Sequence, residues 1–320
     1  MADAAAQAAA DNPHMNAAPA IVPGRRIHID GDMIAYWAGG NDETTVDVSR
    51  QVAANKIEAM RMQAGAESVV LHLTAASSSK GDRYLIATVK PYQGQRSSSR
   101  KPKNWGYLRD WMENYKGDAF KVKLWGTREA DDGLALMTVL EQEPVISTKD
   151  KDMRMLTGCW HMDWDTMAMH FVPVGTFDVV VNEKQYGHKW FWLQTLHGDT
   201  ADHIPGLPFY IDPNDKPKQC GEKTAAKLLE GVIDNGMAFS VVRTLYEGYY
   251  GNEWAARLLE QALLLWLRTD KHAVLDNVFT ILPRHSALMD AMDKINLRIK
   301  ETYAEAHRLS GQSPTRTDAL

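Results

Sequence analysis

Lys121-Val122-Lys123-Leu124-Trp125 is a β-rich run, and after Gly126-Thr127-Arg128 it gives way to Glu129-Ala130-Asp131-Asp132-Gly133-Leu134-Ala135. A strand pattern, three acids and a helical pattern thus follow one another. The helix reads from about Glu129 to Glu141, and Pro144 to Thr148 (PVIST) is the next strand. The same alternation recurs on either side. Arg25 to Ile29 reads as a strand that ends at Asp30-Gly31-Asp32, and a helical stretch runs on through Lys56 and Met62. Ser68 to Leu73 (SVVLHL) is a second strand, and Phe177 to Val181 (FDVVV) a fifth. Strands alternating with helices predict an α/β fold, a mostly parallel central sheet flanked by helices. From Glu183 onward the chain reads as helices and loops, and no internal repeat is visible.

The acids fall at consistent places. Asp30 follows strand one, Glu129, Asp131 and Asp132 follow strand three, and Asp150 and Asp152 follow strand four. Open parallel sheets bind ligands beyond the carboxyl ends of their strands, so one crevice can collect all six. Crowded carboxylates repel one another and rise in pKa unless a cation neutralises them. Oxygen ligands without His or Cys suit Mg²⁺ or Mn²⁺. Two such ions about 4 Å apart can activate a water and stabilise the leaving oxygen of a phosphodiester. Taken singly, Asp131 or Asp132 is better explained as a helix N-cap or first-turn partner of the helix dipole. That explanation weakens for the whole set.

Composition narrows the classes. The chain has 320 residues, 44% of them hydrophobic, enough for a full core in one large domain or two smaller ones. A net charge of −5 means that any nucleic-acid partner needs a local basic patch. Cys159 and Cys220 stand far apart, which points to a reducing, cytoplasmic setting without disulfides. In the helical C-terminal part the longest apolar run, Ala262 to Leu267, is too short to span a bilayer. The first 24 residues read as a disordered, Ala-rich tail.

Further on stand Gly198-Asp199-Thr200-Ala201-Asp202, Ile204-Pro205-Gly206 and Gly221-Glu222-Lys223-Thr224-Ala225. Asp199 and Asp202, three apart, share a face if that turn is helical. A glycine opening a helix, with Lys and Thr at its start, suits a phosphate and reads no base. Together with Ile29-Asp30-Gly31, Glu129 to Ala135 and Thr148-Lys149-Asp150-Lys151-Asp152-Met153, these blocks resemble the flap endonuclease/5′-nuclease family. That family includes the 5′-nuclease domain of bacterial DNA polymerase I and the stand-alone phage 5′→3′ exonucleases. The order and spacing agree over roughly residues 25 to 230. The absence of a polymerase domain favours the phage type, whose setting is the host cytoplasm.

The resemblance implies two groups of metal-binding carboxylates. One is Asp30, Glu129, Asp131 and Asp132; the other is Asp150, Asp152, Asp199 and Asp202. It implies two Mg²⁺ ions, replaceable by Mn²⁺, and K⁺ at a helix–three-turn–helix element near residues 198 to 230. There Gly221, Lys223, Thr224 and Lys227 would grip the backbone of double-stranded DNA or an RNA–DNA hybrid. It also implies an arch over the site at about residues 75 to 103. Tyr92-Gln93-Gly94-Gln95-Arg96 matches the family's Tyr-Lys-Gly-Asn-Arg, and Lys90, Arg96, Arg100, Lys101 and Lys103 would form the basic patch. Arg96 would act in catalysis and Tyr92 would stack on a base. Three departures stand out: Gln93 replaces the arch lysine, Thr74 replaces an acid after strand two, and Leu207 to Cys220 is inserted.

Rival readings are a haloacid-dehalogenase-type phosphatase on Asp30-Gly31-Asp32, a PIN-type ribonuclease, and a non-catalytic DNA-binding protein. The phosphatase motif wants Thr or Val where Ile34 stands, and leaves Glu129, Asp131 and Asp132 unexplained. PIN domains are usually shorter, and a decayed site would not keep eight like charges. His28, His72 and His170 read as strand-surface residues, Trp190 and Trp192 as core, and Trp254 to Trp266 as an amphipathic packing helix.

Overall fold

The computed structural model describes residues 19–98, 100–212, 214 and 216–310, with Ser97, Ser98 and Ser310 described by backbone alone. Residues 1–18 of the expected tail lie outside them. Strand β1 (Val22–Asp30) begins three residues before the expected start and is followed by α1 (Gly31–Ala38) and α2 (Val46–Gln63). Then come β2 (Ala66–Thr74), the short helix α3 (Arg83–Ile86), α4 (Trp105–Glu113), β3 (Lys121–Trp125), α5 (Ala130–Leu140) and β4 (Val145–Ser147). The sheet continues with β5 (Cys159–Met162) and β6 (Met169–Val172).

The six strands lie in the order β3-β2-β1-β4-β5-β6, parallel throughout except for the β5/β6 pair. From β1 the chain builds outward through β2 to β3. Helix α5 then carries it back across the sheet to β4 on the other side of β1. At such a reversal the connections leave in opposite directions and open a crevice at the carboxyl ends of the strands. Asp30, the last residue of β1, stands at that point.

The fifth strand expected at Phe177 to Val181 is not in this sheet. Its last three residues form β7 (Val179–Val181), which pairs only with β8 (Lys184–Tyr186). Asn182 and Glu183 between them have φ of 48° and 62°, the two left-handed positions of a tight hairpin turn. The region after Glu183 also holds strands, because the inserted segment folds into a second hairpin, β9 (Phe209–Ile211) with β10 (Pro217–Gln219). The helices of this half are α6 (His188–His197), α7 (Glu222–Leu228), α8 (Asn235–Tyr250), α9 (Trp254–Leu265) and α10 (Ser286–Ser310), and the hairpin packs on α8.

Two cores flank the sheet. Ile27, Ile29, Leu71 and Leu73 pack with α1, α2 and α4 on one face. On the other, Leu134 and Ile146 join Trp190, Trp192, Leu258 and Leu288 in one core shared by α5 and the later helices. Trp190 and Trp192 are therefore core residues, as their setting suggested.

His28 and His72 are not strand-surface residues; both are fully buried. The Trp125 indole N–H donates to His72 Nδ1 at 3.1 Å, which puts the His72 proton on Nε2, 2.9 Å from His28 Nδ1. His28 Nε2–H in turn donates to Glu141 Oε2 at 2.9 Å, and Arg26 donates to the other Glu141 oxygen. Burial, then the neighbouring His28, hold His72 well below the usual histidine range. Gly133 lets α5 come down on this relay, since a Cβ there would lie 2.1 Å from Trp125 Nε1.

Candidate metal centre

The crevice at the end of β1 gathers seven of the eight expected acids. Asp30 caps α1 by accepting from Met33 N–H, and its second oxygen accepts from Thr148 Oγ1 at 2.8 Å. Glu129 and Asp131 open α5, while Asp150 follows β4 and accepts from Asp152 N–H at 2.8 Å. Asp199 and Asp202 come from a loop that Gly198 and Gly206 pinch shut. Both glycines have positive φ, and a Cβ on Gly206 would lie 2.3 Å from Gly198 N. Asp199 and Ile204 exchange two backbone hydrogen bonds across that loop, at 2.8 and 2.7 Å. Asp152, Asp199 and Asp202 offer carboxylate oxygens within 4.8 Å of one another, and all three are buried.

The electrostatics follow from burial and crowding. Burial first, then Asp150, Asp30 and Glu129, push Asp131 well above the usual carboxylate range. Asp150 is pushed up to about 6 by burial and by Asp202, Asp199 and Asp30. Asp30, Glu129 and Asp152 are raised as well, with burial the largest cause each time. Asp131 Oδ1 is buried without a hydrogen-bond partner among the described residues. A donor set made only of carboxylate oxygens, several of them held against their charge, fits a hard divalent cation.

Asp132 departs from expectation. Burial alone would raise it, but Arg83 meets both of its oxygens, at 2.7 and 2.8 Å, and holds it down at about 2. Arg268 N–H also donates to Asp132 Oδ1 at 3.0 Å. With both oxygens committed, Asp132 is withdrawn from the candidate ligand set and becomes the anchor of α5. Asp32 is likewise committed, to Arg109 and to Thr74 N–H, so the paired-aspartate arrangement of the phosphatase reading does not form. Thr74, where an acid was expected, accepts from Ala130 N–H through Oγ1 and supports the first turn of α5.

The expected arch lies down into the crevice. Among its described residues it holds only short helical turns, one at Lys80–Asp82, α3, and one at Gly94–Ser98. Tyr92 and Gln93 are buried; the Gln93 amide donates to Glu129 and Asp202, and the Tyr92 hydroxyl, with a single proton, lies within hydrogen-bond distance of both. Arg96 pairs with Asp202. Arg100, Lys101 and Lys103 are not beside Arg96. Arg100 pairs with Asp42 at 2.7 Å, Lys103 donates to the Asp42 carbonyl, and Lys101 lies 3.6 Å from the Trp105 ring centroid. Lys90 is exposed.

Helices α6 and α7 pack against each other on either side of the loop and the β9–β10 hairpin. Gly221 is the N-cap of α7, Lys223 and Lys227 are exposed, and Thr224 is half-buried. Sequence reasoning missed several polar partners of the acids. Lys151 Nζ lies 2.7 Å from Asp199, Gln194 donates to Asp152 at 2.5 Å, and Lys80 Nζ lies 3.6 Å from Glu129. Lys151 had a signal, its place between Asp150 and Asp152. Lys80, Arg83, Gln194 and Arg268 had none.

No family model matches the sequence, and no curated protein matches it. Solved structures do. A 5′-exonuclease of bacteriophage T5 described with bound divalent metal ions (zinc) is 15% identical, with a TM-score of 0.56 over 85% of this chain and 98% of that one. A flap endonuclease of the same phage, in a pseudo-enzyme–product complex with DNA and metal ions, is 14% identical. Its TM-score is 0.54, over 86% of this chain and 99% of that one. At such identity the likeness is one of fold, and the fold is that of the phage-type 5′-nucleases.

Proposed function

From a fold shared with phage 5′-nucleases, we propose that this chain is a Mg²⁺-dependent 5′→3′ exonuclease and structure-specific flap endonuclease. Its substrates are duplex DNA with 5′ ends or flaps and RNA strands paired to DNA, as in primer removal during genome replication. The observation that carries this reading is the convergence of seven buried or half-buried carboxylates, without His or Cys, at the carboxyl ends of β1 and β4. Asp30, Glu129 and Asp131 would hold one ion, and Asp150, Asp152, Asp199 and Asp202 the other. Mg²⁺, or Mn²⁺ in its place, supplies positive charge against the phosphodiester and lowers the pKa of a water.

The protein's own groups do the rest. Lys80, Arg96 and Lys151 stand at the acid crevice and offset its negative charge when a phosphate chain enters. Gly221, Lys223, Thr224 and Lys227 present amides and exposed ammonium groups to a duplex backbone, with K⁺ as a further counter-charge, and read no base. Arg100, Lys101 and Lys103 add a second basic surface beside the α1–α2 loop, and Lys90 is a further exposed cation.

The test is one gel with 5′-labelled duplex, flap and RNA–DNA hybrid, with Mg²⁺ or chelator. Release of mononucleotides and short oligonucleotides from the 5′ end, abolished by chelator, is expected. Chelator-resistant cleavage, or digestion that starts at the 3′ end, overturns the reading.

A further inference from the structure

Tyr92 and Gln93 place two donors on the same pair of carboxylates. The Tyr92 hydroxyl lies 2.8 Å from Glu129 Oε2 and 2.9 Å from Asp202 Oδ2. Gln93 Nε2 lies 3.2 Å from Glu129 Oε1 and 3.2 Å from Asp202 Oδ1. Side chains of neighbouring residues in extended chain point to opposite sides. Here Gln93 has a φ of 53°, a left-handed turn that brings both side chains to one side.

The segment is held in register by its backbone and its flanks. Gln93 N–H donates to the Asp202 carbonyl at 3.0 Å, and Gln95 Nε2 donates to the Thr200 and Ala201 carbonyls at 2.8 and 2.6 Å. Lys80 Nζ donates to Gln93 Oε1 at 2.6 Å, which fixes which end of the amide faces the acids. Glu129 belongs to the strand-and-helix core, whereas Asp202 belongs to the loop after α6. Tyr92 ties the two together. Tyr92 as a whole is 4% exposed and its ring meets Tyr84 edge-on at 5.6 Å, so no open face is presented for a base.

We propose that Tyr92 is a positioning residue whose hydroxyl, and not its ring, sets the separation of Glu129 from Asp202. In doing so it sets the two carboxylate groups at the spacing that two divalent cations require. The inference rests on the metal-dependent nuclease reading. Tyr92→Phe keeps the ring and removes only the oxygen, so it separates a bridging hydroxyl from a stacking ring.

Two measurements on Tyr92→Phe and Tyr92→Ala decide it. One is calorimetric titration of Mn²⁺ into chelator-stripped protein without DNA. The other is steady-state cleavage of a 5′-labelled flap. Both variants are expected to weaken the weaker Mn²⁺ step at least fivefold. They should also lower kcat at least tenfold while KM stays within twofold, as for a group that acts on the site and not on substrate binding. Gln93→Met, which removes the second donor, should shift both quantities the same way by less. A Phe variant with the wild-type isotherm, or with the wild-type kcat, overturns the proposal. If unaltered protein cleaves none of the substrates, the nuclease reading falls, and the titration alone then decides the tyrosine.

Discussion

Asp131 and Asp132 are neighbours in sequence, yet replacing each by asparagine should affect stability differently. Asp132 is fully buried and meets the Arg83 guanidinium through both oxygens, while Arg83 is itself 2% exposed. Asp132→Asn keeps the shape and removes the charge, leaving Arg83 buried with only its longer, 3.3 Å contact to Glu129 as an ion pair. Breaking a buried pair from one side costs about 3–5 kcal/mol. An unfolding entropy of roughly 2.1 cal/mol/K per residue gives a chain of this length about 0.7 kcal/mol/K, so Tm should fall by about 4–7 °C. Asp131 has no such partner; burial and four neighbouring carboxylates oppose its charge. Asp131→Asn therefore relieves repulsion, and in chelator its Tm should equal or exceed that of the unaltered protein. The assay is a thermal scan of all three proteins, in chelator and with saturating Mg²⁺. A ligand at a hundredfold its Kd stabilises by about 2.7 kcal/mol. The unaltered protein should show a gain of that order, and Asp131→Asn should lose most of it. Equal Tm values for the two variants in chelator would refute the division of labour between these aspartates.

Three further outcomes are expected. In chelator the fold retains protons that the unfolded chain gives up above its ordinary carboxylate pKa, because Asp30, Glu129, Asp131, Asp150 (about 6) and Asp152 are raised. Stability from these groups is therefore present at low pH and lost as pH rises through about 6; a Tm that climbs steadily from pH 5 to 7 in chelator contradicts this. Joint replacement of Arg100, Lys101 and Lys103 by alanine should flatten the salt dependence of duplex affinity by about 0.9 per lost phosphate contact. An unchanged slope would leave those side chains the sole task of holding the Asp42 loop. Burial pushes the Cys159 thiol up and Cys220 to about 11, so native protein at pH 8 should take up iodoacetamide slowly at both. Rapid labelling of either, judged by mass spectrometry, would contradict their burial.

The parts of the fold legible in the sequence were those with local signatures. Asp30, Glu129, Asp131 and Asp150 each follow a strand pattern, and strand order alone brings them to one crevice. The misread parts depended on distant partners. His28 and His72 alternate with apolar residues, a pattern that suggests solvent on one face, but a parallel sheet covered on both sides buries both sets. Strands β5 and β6 are four residues each and carry Trp160, His161 and His170, too short and too polar to announce themselves. Asp132 looks like Asp131 until Arg83 arrives from 49 positions upstream. The motif around Tyr92 singled it out in the sequence as a candidate. That its oxygen, and not its ring, meets the acids followed only from the fold.

The relay from Trp125 through His72 and His28 to Glu141 has a direction, since every proton in it points toward the carboxylate. A one-way line of this kind resists piecemeal change. Substituting any single member strands a donor or an acceptor inside the protein, at a cost of about 1–3 kcal/mol. Exchanging the whole set for apolar groups of like shape can be nearly neutral. Positions 28, 72 and 125 are thus bound together in inheritance: drift at one is penalised until the others follow, and a lineage that leaves this arrangement must cross a less stable intermediate to do so.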